Sequence, residues 1–325
     1  MKKVVILMAT YNGVNYLEQQ LDSILNQTYN NWSLIVRDDG STDGTLSILE
    51  KYRIKDPRIK VMINKTNSHG AYLNFWTLIH EVRKLDNYDY YFFSDQDDIW
   101  EPQKIEIMIS EAEKANDSIP TLLYADMRVI NQDNENVYDS INEVMGIGEM
   151  NGYSLFFTHG FLWGCDICVN QALFCSIPLL PLDHPQISIM SHDNYFGKYA
   201  LLEGKIVFID KVLIEHRRHD GNTTGSYNIK LSVFDAMGQC FWKLNEIIKT
   251  HAKVYSQSLI MLSLVTSNKA VTAAVIQEID HAIRRGGIAM VRSMKKLGVK
   301  RKQKIRTIGI YCIAITKAYK KYVVF

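Results

Sequence analysis

An α/β fold, with a mostly parallel sheet flanked by helices and a helical appendage after it, is predicted by three observations. Short β-rich runs alternate with helical patterns through the first third of the chain, which is the signature of strands joined by crossover helices. Polar clusters follow those runs at Thr10-Tyr11-Asn12, Asp38-Asp39 and Asp95-Gln96-Asp97-Asp98, where ligands lie in open α/β sheets. From about residue 228 only helical periodicity remains, so the body spans 1–227 and the appendage 228–325.

Val4–Met8 is an unbroken apolar run and reads as a buried first strand. Leu17, Leu21, Ile24 and Leu25 then recur at helical spacing. Trp32–Arg37 is the second strand, stopped by the turn-forming Asp38-Asp39-Gly40-Ser41, and Leu46, Leu49 and Tyr52 mark a short helix. Ile59–Ile63 is a third strand and Ala71–Lys84 a third helix. Tyr90–Ser94 is a fourth strand; its aromatic residues suit a core strand better than a stacking platform. Pro102 sits where proline is best tolerated, in the first turn of a helix whose Ile105, Met108, Ile109 and Ala112 face inward. After Leu122–Ile130 the pattern loosens, with 131–160 rich in Asn, Asp and Gly. Helical signals return at Asn170–Ile177 and His192–Leu201, and Ile206–Ile209 and Val212–Ile214 read as two short strands.

With 325 residues and 47% apolar content the chain can bury a sizeable core, which excludes a disordered or fibrous protein. The net charge of +2 hides a split, because residues 281–325 carry thirteen Lys or Arg and no Asp or Glu. Such a tail implies an anionic partner. The apolar run after Lys2-Lys3 is shorter than a signal-peptide core of roughly 7–15 residues. No stretch reaches the eighteen or so apolar residues of a spanning helix, and five cysteines suit a reducing compartment. A cytoplasmic protein, peripheral on the inner face of the cell membrane, is expected.

The Asp95-x-Asp97 spacing suits a hard cation, Mn²⁺ or Mg²⁺, because oxygen ligands from a short turn can share a metal whose other positions are filled by phosphates. Any one acidic pair reads equally as a helix cap or a solvated face. Three clusters in phase with strand ends favour a site.

These segments resemble the inverting family 2 glycosyltransferases with the GT-A fold, over roughly residues 1–225. The likeness rests on ILMATYNG at 6–13, LDSILNQTYNNW at 21–32, VRDDGSTDGT at 36–45, NSHGAYLNF at 67–75, FFSDQDDIWEPQK at 92–104 and SHDNYF at 191–196. It implies a nucleotide-sugar half at about 1–125 and an acceptor half at about 126–227. Tyr11 would stack on the base and an aspartate, Asp39 or Asp38, accept its imide N–H, with Thr10, Gly70 and Asn74 completing the nucleotide site. Asp95 and Asp97 would hold the pyrophosphate through the metal, and Asp193 would be the base that activates the acceptor hydroxyl. In HRRHDGNTTG at 216–225, a cationic loop would close over the pyrophosphate and His219, ahead of His216, would add a metal ligand. His192-Asp193 stands where many members carry Glu-Asp, a departure shared with bacterial rhamnosyltransferases. A dTDP- or UDP-sugar donor is implied, with dTDP-L-rhamnose favoured, and a lipid-linked saccharide of surface polysaccharide synthesis as acceptor.

The tail fits this picture. Ile305, Ile308, Cys312, Ile315, Tyr319 and Tyr322 form one apolar stripe, with Arg301, Lys304, Lys317, Lys320 and Lys321 supplying charge. A helix lying on an anionic bilayer is favoured over one packed on the body or on a second copy in a homodimer. Cys165-x-x-Cys168 lacks a second pair, so buried thiols are expected there and not zinc. Two competing readings are a sugar-nucleotide pyrophosphorylase, against which the lack of a glycine-rich phosphate loop at Met8–Gly13 speaks, and a non-catalytic binder of glycan or nucleic acid. A polyanion binder gains nothing from carboxylates in its cleft, and no nucleic-acid partner is expected.

Overall fold

A computed structural model describes residues 1–85, 88–145, 152–160, 162–222 and 233–324. Its backbone contacts divide the chain into two compact units. The first comprises Met1–Ile141, Leu162–Phe196 and Gly204–Ser226, and the second Asn142–Phe161, Gly197–Glu203 and Tyr227–Phe325. The expected boundary at 227/228 lies outside the described residues.

Along the chain run β1 (Val4–Thr10), α1 (Leu17–Leu25), β2 (Trp32–Asp38), α2 (Thr45–Lys55), β3 (Ile59–Ile63), α3 (Ala71–Arg83) and β4 (Tyr90–Ser94). There follow β5 (Ile99–Trp100), α4 (Lys104–Ala112), β6 (Thr121–Ile130), β7 (Asn136–Tyr138), α5 (Ile141–Met145), β8 (Ile167–Asn170), α6 (Gln171–Ser176), α7 (His192–Glu203) and β9 (Lys205–Arg217). The sheet order is β3-β2-β1-β4-β8-β6-β9-β5, with β7 on β6. β3, β2, β1 and β4 pair in parallel, while β8 joins β4 and β6 in antiparallel fashion. The α/β sheet with a C-terminal helical region is thus as the sequence predicts. Its antiparallel half was not visible in periodicity.

β1 and β4 are apolar at almost every position because they are central and covered on both faces: Val5, Ile6, Leu7, Phe92 and Phe93 are fully buried. The two short strands expected at 206–214 are one strand, β9, which pairs with β6 in parallel. Its register slips between Tyr124 and Asp126, opposite Phe208 and Val212. The bulge takes up the polar Asp210-Lys211 that had looked like a break. Beyond it β9 runs on to Arg217 and carries the histidine-rich segment to the end of β4.

In the second unit, α8 (Val233–Leu264) is followed by α9 (Ala270–Arg285), α10 (Gly287–Lys296) and α11 (Lys304–Thr316). Ala252, Tyr255 and Met261 of α8, Ile279, Ala282 and Ile283 of α9, and Met290 and Met294 of α10 are buried. Gly286 and Gly287 break α9 from α10 at φ 65° and 72°, a conformation that favours glycine. Tyr319 is fully buried, and its hydroxyl donates to the Ile283 carbonyl at 2.7 Å. Lys317, at φ 56°, ends α11, so the stripe read from Ile305 to Tyr322 is not one helical face. Ile305, Ile308 and Ile315 are 64%, 59% and 51% exposed, whereas Ile310, Ile313 and Ala314 are buried. Among the described residues no helix is long and apolar enough to cross a membrane.

Candidate functional site

Parallel register sets the site. Thr10 lies opposite Asp38, Asp38 opposite Ile63, and Met8 opposite Ser94. Tyr11, Asp39 and Asp95, each one residue beyond its strand, therefore emerge along one edge.

Asp38 is fully buried. Its Oδ1 accepts the N–H groups of Gly40 and Ser41 at 3.0 and 2.8 Å, and its Oδ2 the hydroxyls of Thr10 and Ser41 at 3.0 and 2.6 Å. A carboxylate has about four lone-pair positions, and all are filled. Thr10 and Asp38, expected in the nucleotide site, hold the turn that presents Asp39. Asn74 behaves likewise: it is 2% exposed, and its amide accepts from Arg37 Nη1 at 2.7 Å and donates to the Arg37 carbonyl at 3.0 Å. Asp39 keeps a place open. Its Oδ1 accepts from Asn64 at 2.8 Å and Arg37 at 3.4 Å, but among the described residues its Oδ2 accepts only from the Gly70 N–H at 2.8 Å. Gly70 has φ 134° and open space where a side chain would be, so backbone conformation, and not crowding, asks for glycine there.

Tyr11 is 54% exposed beside Asp39, free to present its ring. Its backbone is clamped by Gln96, which accepts the Tyr11 N–H at 2.8 Å and donates to the Tyr11 carbonyl at 2.9 Å. Gly13 makes room for this clamp, since a Cβ there would lie 2.6 Å from Gln96 Cδ. The middle residue of the Asp-Gln-Asp turn therefore ties that turn to the Tyr11 loop.

At the turn itself Asp97 Oδ2 stands 2.8 Å from His219 Nε2 and accepts from Asn222 Nδ2 at 3.2 Å. Asn222 also accepts the His219 N–H at 2.6 Å and donates to the Arg217 carbonyl at 3.2 Å, closing the loop that carries the histidine. His216 takes a different place: its Nδ1 meets Asp98 Oδ1 at 2.9 Å in the interior. Burial alone would lower the His216 pKa, but the Asp98 carboxylate outweighs it and the pKa is raised. Asp98 is correspondingly lowered against its own burial. Cys165 offers a sulfur within 4.8 Å of both, and the pair already neutralises itself. Arg217 is fully buried, its Nε donating to the Asp97 carbonyl at 2.8 Å and its Nη2 to Gln19 Oε1 at 2.7 Å. It anchors the loop to the Asp97 carbonyl and to Gln19.

At Asp95 burial first, then the Asp98 and Asp97 carboxylates, with Asp193 adding, outweigh the lowering effect of the His216 charge and push the pKa up to about 8. By their chemistry Asp95, Asp97 and His219 offer carboxylate oxygens and an imidazole nitrogen that suit a divalent cation such as Mn²⁺ or Mg²⁺, while among the described residues the metal-capable cluster with ligand atoms within 4.8 Å is Asp98, Cys165 and His216. Asp193 stands in the first turn of α7, 8% exposed, with Oδ1 accepting the Asn194 N–H at 2.6 Å. Trp76 Nε1 donates to the Met190 carbonyl at 2.7 Å and fixes the approach to this turn. His192 is buried and packed between Phe75 and Phe93, 4.2 and 4.7 Å between ring centroids. Gln96, Asn222 and Gln19 were not singled out from sequence. Only the Asn-Gly-rich turn after His219 signalled one of them.

Comparison with known proteins bears on the family and the fold. The model of the family described as Glycosyl transferase family 2 matches residues 5–169. An uncharacterised glycosyltransferase of Rickettsia typhi is 28% identical over 315 residues, covering 97% of this chain and 89% of that protein. A dTDP-rhamnosyl transferase of Shigella flexneri is 48% identical over 99 residues, covering 30% of this chain and 34% of that protein. Among solved structures, S. aureus TarS 1–349 in complex with UDP-GlcNAc superposes with a TM-score of 0.56 at 19% identity, over 99% of this chain and 84% of that one. The mannosyltransferase PcManGT of Pyrobaculum calidifontis, in complex with GDP-Man and Mn²⁺, gives 0.52 at 15% identity, over 97% and 86%. Both likenesses bear on the fold.

Proposed function

The chain belongs to glycosyl transferase family 2, and from that premise we propose that it is a metal-dependent, inverting transferase that moves a sugar from a nucleoside diphosphate to an acceptor hydroxyl. The observation that carries this reading is the meeting of Asp97 with His219 at 2.8 Å beside Asp95, whose pKa burial and the neighbouring carboxylates raise. Tyr11 stacks on the base, and the open lone pair of Asp39 accepts its imide N–H, which selects uracil or thymine over cytosine. Asp95, Asp97 and His219 hold Mn²⁺ or Mg²⁺. When bound, the metal neutralises the charge that develops on the departing diphosphate. Asp193 removes the acceptor proton as that oxygen attacks from the face opposite the leaving group. Thr10, Asp38, Gly70 and Asn74 support the nucleotide site from behind.

The donor we favour is dTDP-L-rhamnose, supported by the 48% identity to a dTDP-rhamnosyl transferase over 99 residues. A UDP-hexose is the alternative. The acceptor we favour is a lipid-linked saccharide of surface polysaccharide synthesis, reached from the inner face of the membrane. Purified protein with Mn²⁺ or Mg²⁺ and cell membranes is expected to release nucleoside diphosphate from one member of a nucleotide-sugar panel. Release from none would refute the proposal; release from a UDP-hexose alone would move the donor.

A further inference from the structure

We propose that the outward face of α11 is an interfacial anchor that lies on an anionic lipid surface, which deepens the membrane location proposed above by naming the residues that make it. A helix on a protein surface ordinarily hides one apolar stripe and shows a polar one. α11 is apolar on both sides. Its inner side buries Ile310, Ile313 and Ala314. Its outer side presents Ile305, Ile308 and Ile315 at 64%, 59% and 51% exposure, with the exposed Cys312 between them. At 100° per residue these four positions fall within one quarter of the helix circumference, so they form a single strip and not scattered hydrophobes. Among the described residues nothing in the second unit covers it.

Charge identifies the occupant. Lys300, Lys302 and Lys304 precede the strip, Lys317, Lys320 and Lys321 follow it, and all six are exposed. Among the described residues none of the six pairs with a carboxylate, whereas Lys296 is paired with Glu278 at 2.8 Å. Apolar residues between groups of lysines are what a helix lying at a bilayer surface requires: the isoleucines enter the acyl boundary while the lysine stems reach out to the phosphates. A second copy of the chain fits poorly. Residues 281–325 hold thirteen basic residues and no acidic ones, and a two-fold contact would set that field against itself.

The test is co-sedimentation of the full chain with phosphatidylcholine vesicles, with and without phosphatidylglycerol, beside calorimetric nucleoside diphosphate binding on the same samples. Binding to the anionic vesicles alone is expected, weakening with added salt. Ile305→Ser/Ile308→Ser is expected to lower vesicle partitioning by about tenfold or more, given the apolar area withdrawn, and Lys317→Gln/Lys320→Gln/Lys321→Gln to lower it as well. Both variants change exposed positions and are expected to keep nucleotide binding. Absence of vesicle binding with nucleotide binding intact would overturn the anchor and leave the donor-site reading standing. So would equal binding to neutral vesicles, or a wild-type dimer that Ile305→Ser/Ile308→Ser converts to monomer without changing partitioning.

Discussion

Replacing Gln96 with alanine removes both hydrogen bonds that hold the Tyr11 backbone, at 2.8 and 2.9 Å. Each such bond contributes roughly 0.5–1.5 kcal/mol net. An upper bound comes from the stacking that Tyr11 supplies, about 1–3 kcal/mol for a base on an aromatic ring. The loss should therefore fall near 1.4 kcal/mol, about a tenfold weaker affinity for UDP or dTDP, measured by calorimetric titration with Mn²⁺ present. Gly13→Ala gives an internal control, because its new Cβ would lie 2.6 Å from Gln96 Cδ and closer still to Oε1. The flexible end of Gln96 must yield, and with it the clamp. If both substitutions act through the same two bonds, the double variant should bind no worse than Gln96→Ala alone. Additive losses would refute the clamp, as would unchanged affinity in Gln96→Ala.

Three further outcomes follow from the site. Asp193→Asn should retain nucleotide binding while transfer falls by about 10²–10⁴, the range of a lost general base; transfer at the wild-type rate would remove Asp193 from that role. His219→Ala should weaken the metal-dependent part of nucleotide binding by about tenfold or more, while His216→Gln, acting through the buried Asp98 pair, should show itself mainly as lost thermal stability. Burial pushes the His192 pKa down to about 4, against 6.5 for a free imidazole. Between these values the unfolded chain binds a proton that the folded chain refuses, so stability should fall as pH drops through that window. His192→Phe should flatten this share of the slope, read as urea midpoints at about pH 7 and about pH 5; an unchanged slope would count against it.

The parallel half of the fold was legible because central strands must be apolar almost throughout, as β1 and β4 are, and crossover helices must show period 3.6, as Leu17, Leu21 and Ile24 do in α1. β9 was misread as two strands because polar residues inside a bulge look like a terminus. The acidic turns were legible from their place after strands. What separates their members was not: Asp38 and Asp39 are adjacent and chemically alike, and only hydrogen-bond accounting shows that Asp38 has no lone pair to offer. His216 and His219 posed the same difficulty. Strand alternation turns one towards the buried Asp98, and the turn closed by Asn222 delivers the other to Asp97. Side-chain clamps such as Gln96 leave no periodic trace at all. The α11 strip was read as one long helical face because spacing alone does not reveal that Lys317 adopts a left-handed conformation and ends the helix.

The account turns on whether Asp95, Asp97 and His219 hold a cation that in turn holds a nucleoside diphosphate. Calorimetric titration of the wild type and of Asp97→Asn with dTDP and UDP, in Mn²⁺ and again with a chelator, measures this directly. The wild type should bind one or both nucleotides with Mn²⁺ present and lose at least about tenfold in affinity when it is removed, and Asp97→Asn should bind equally weakly in both conditions. Tight binding that ignores the metal, or a metal response that survives in Asp97→Asn, would contradict it.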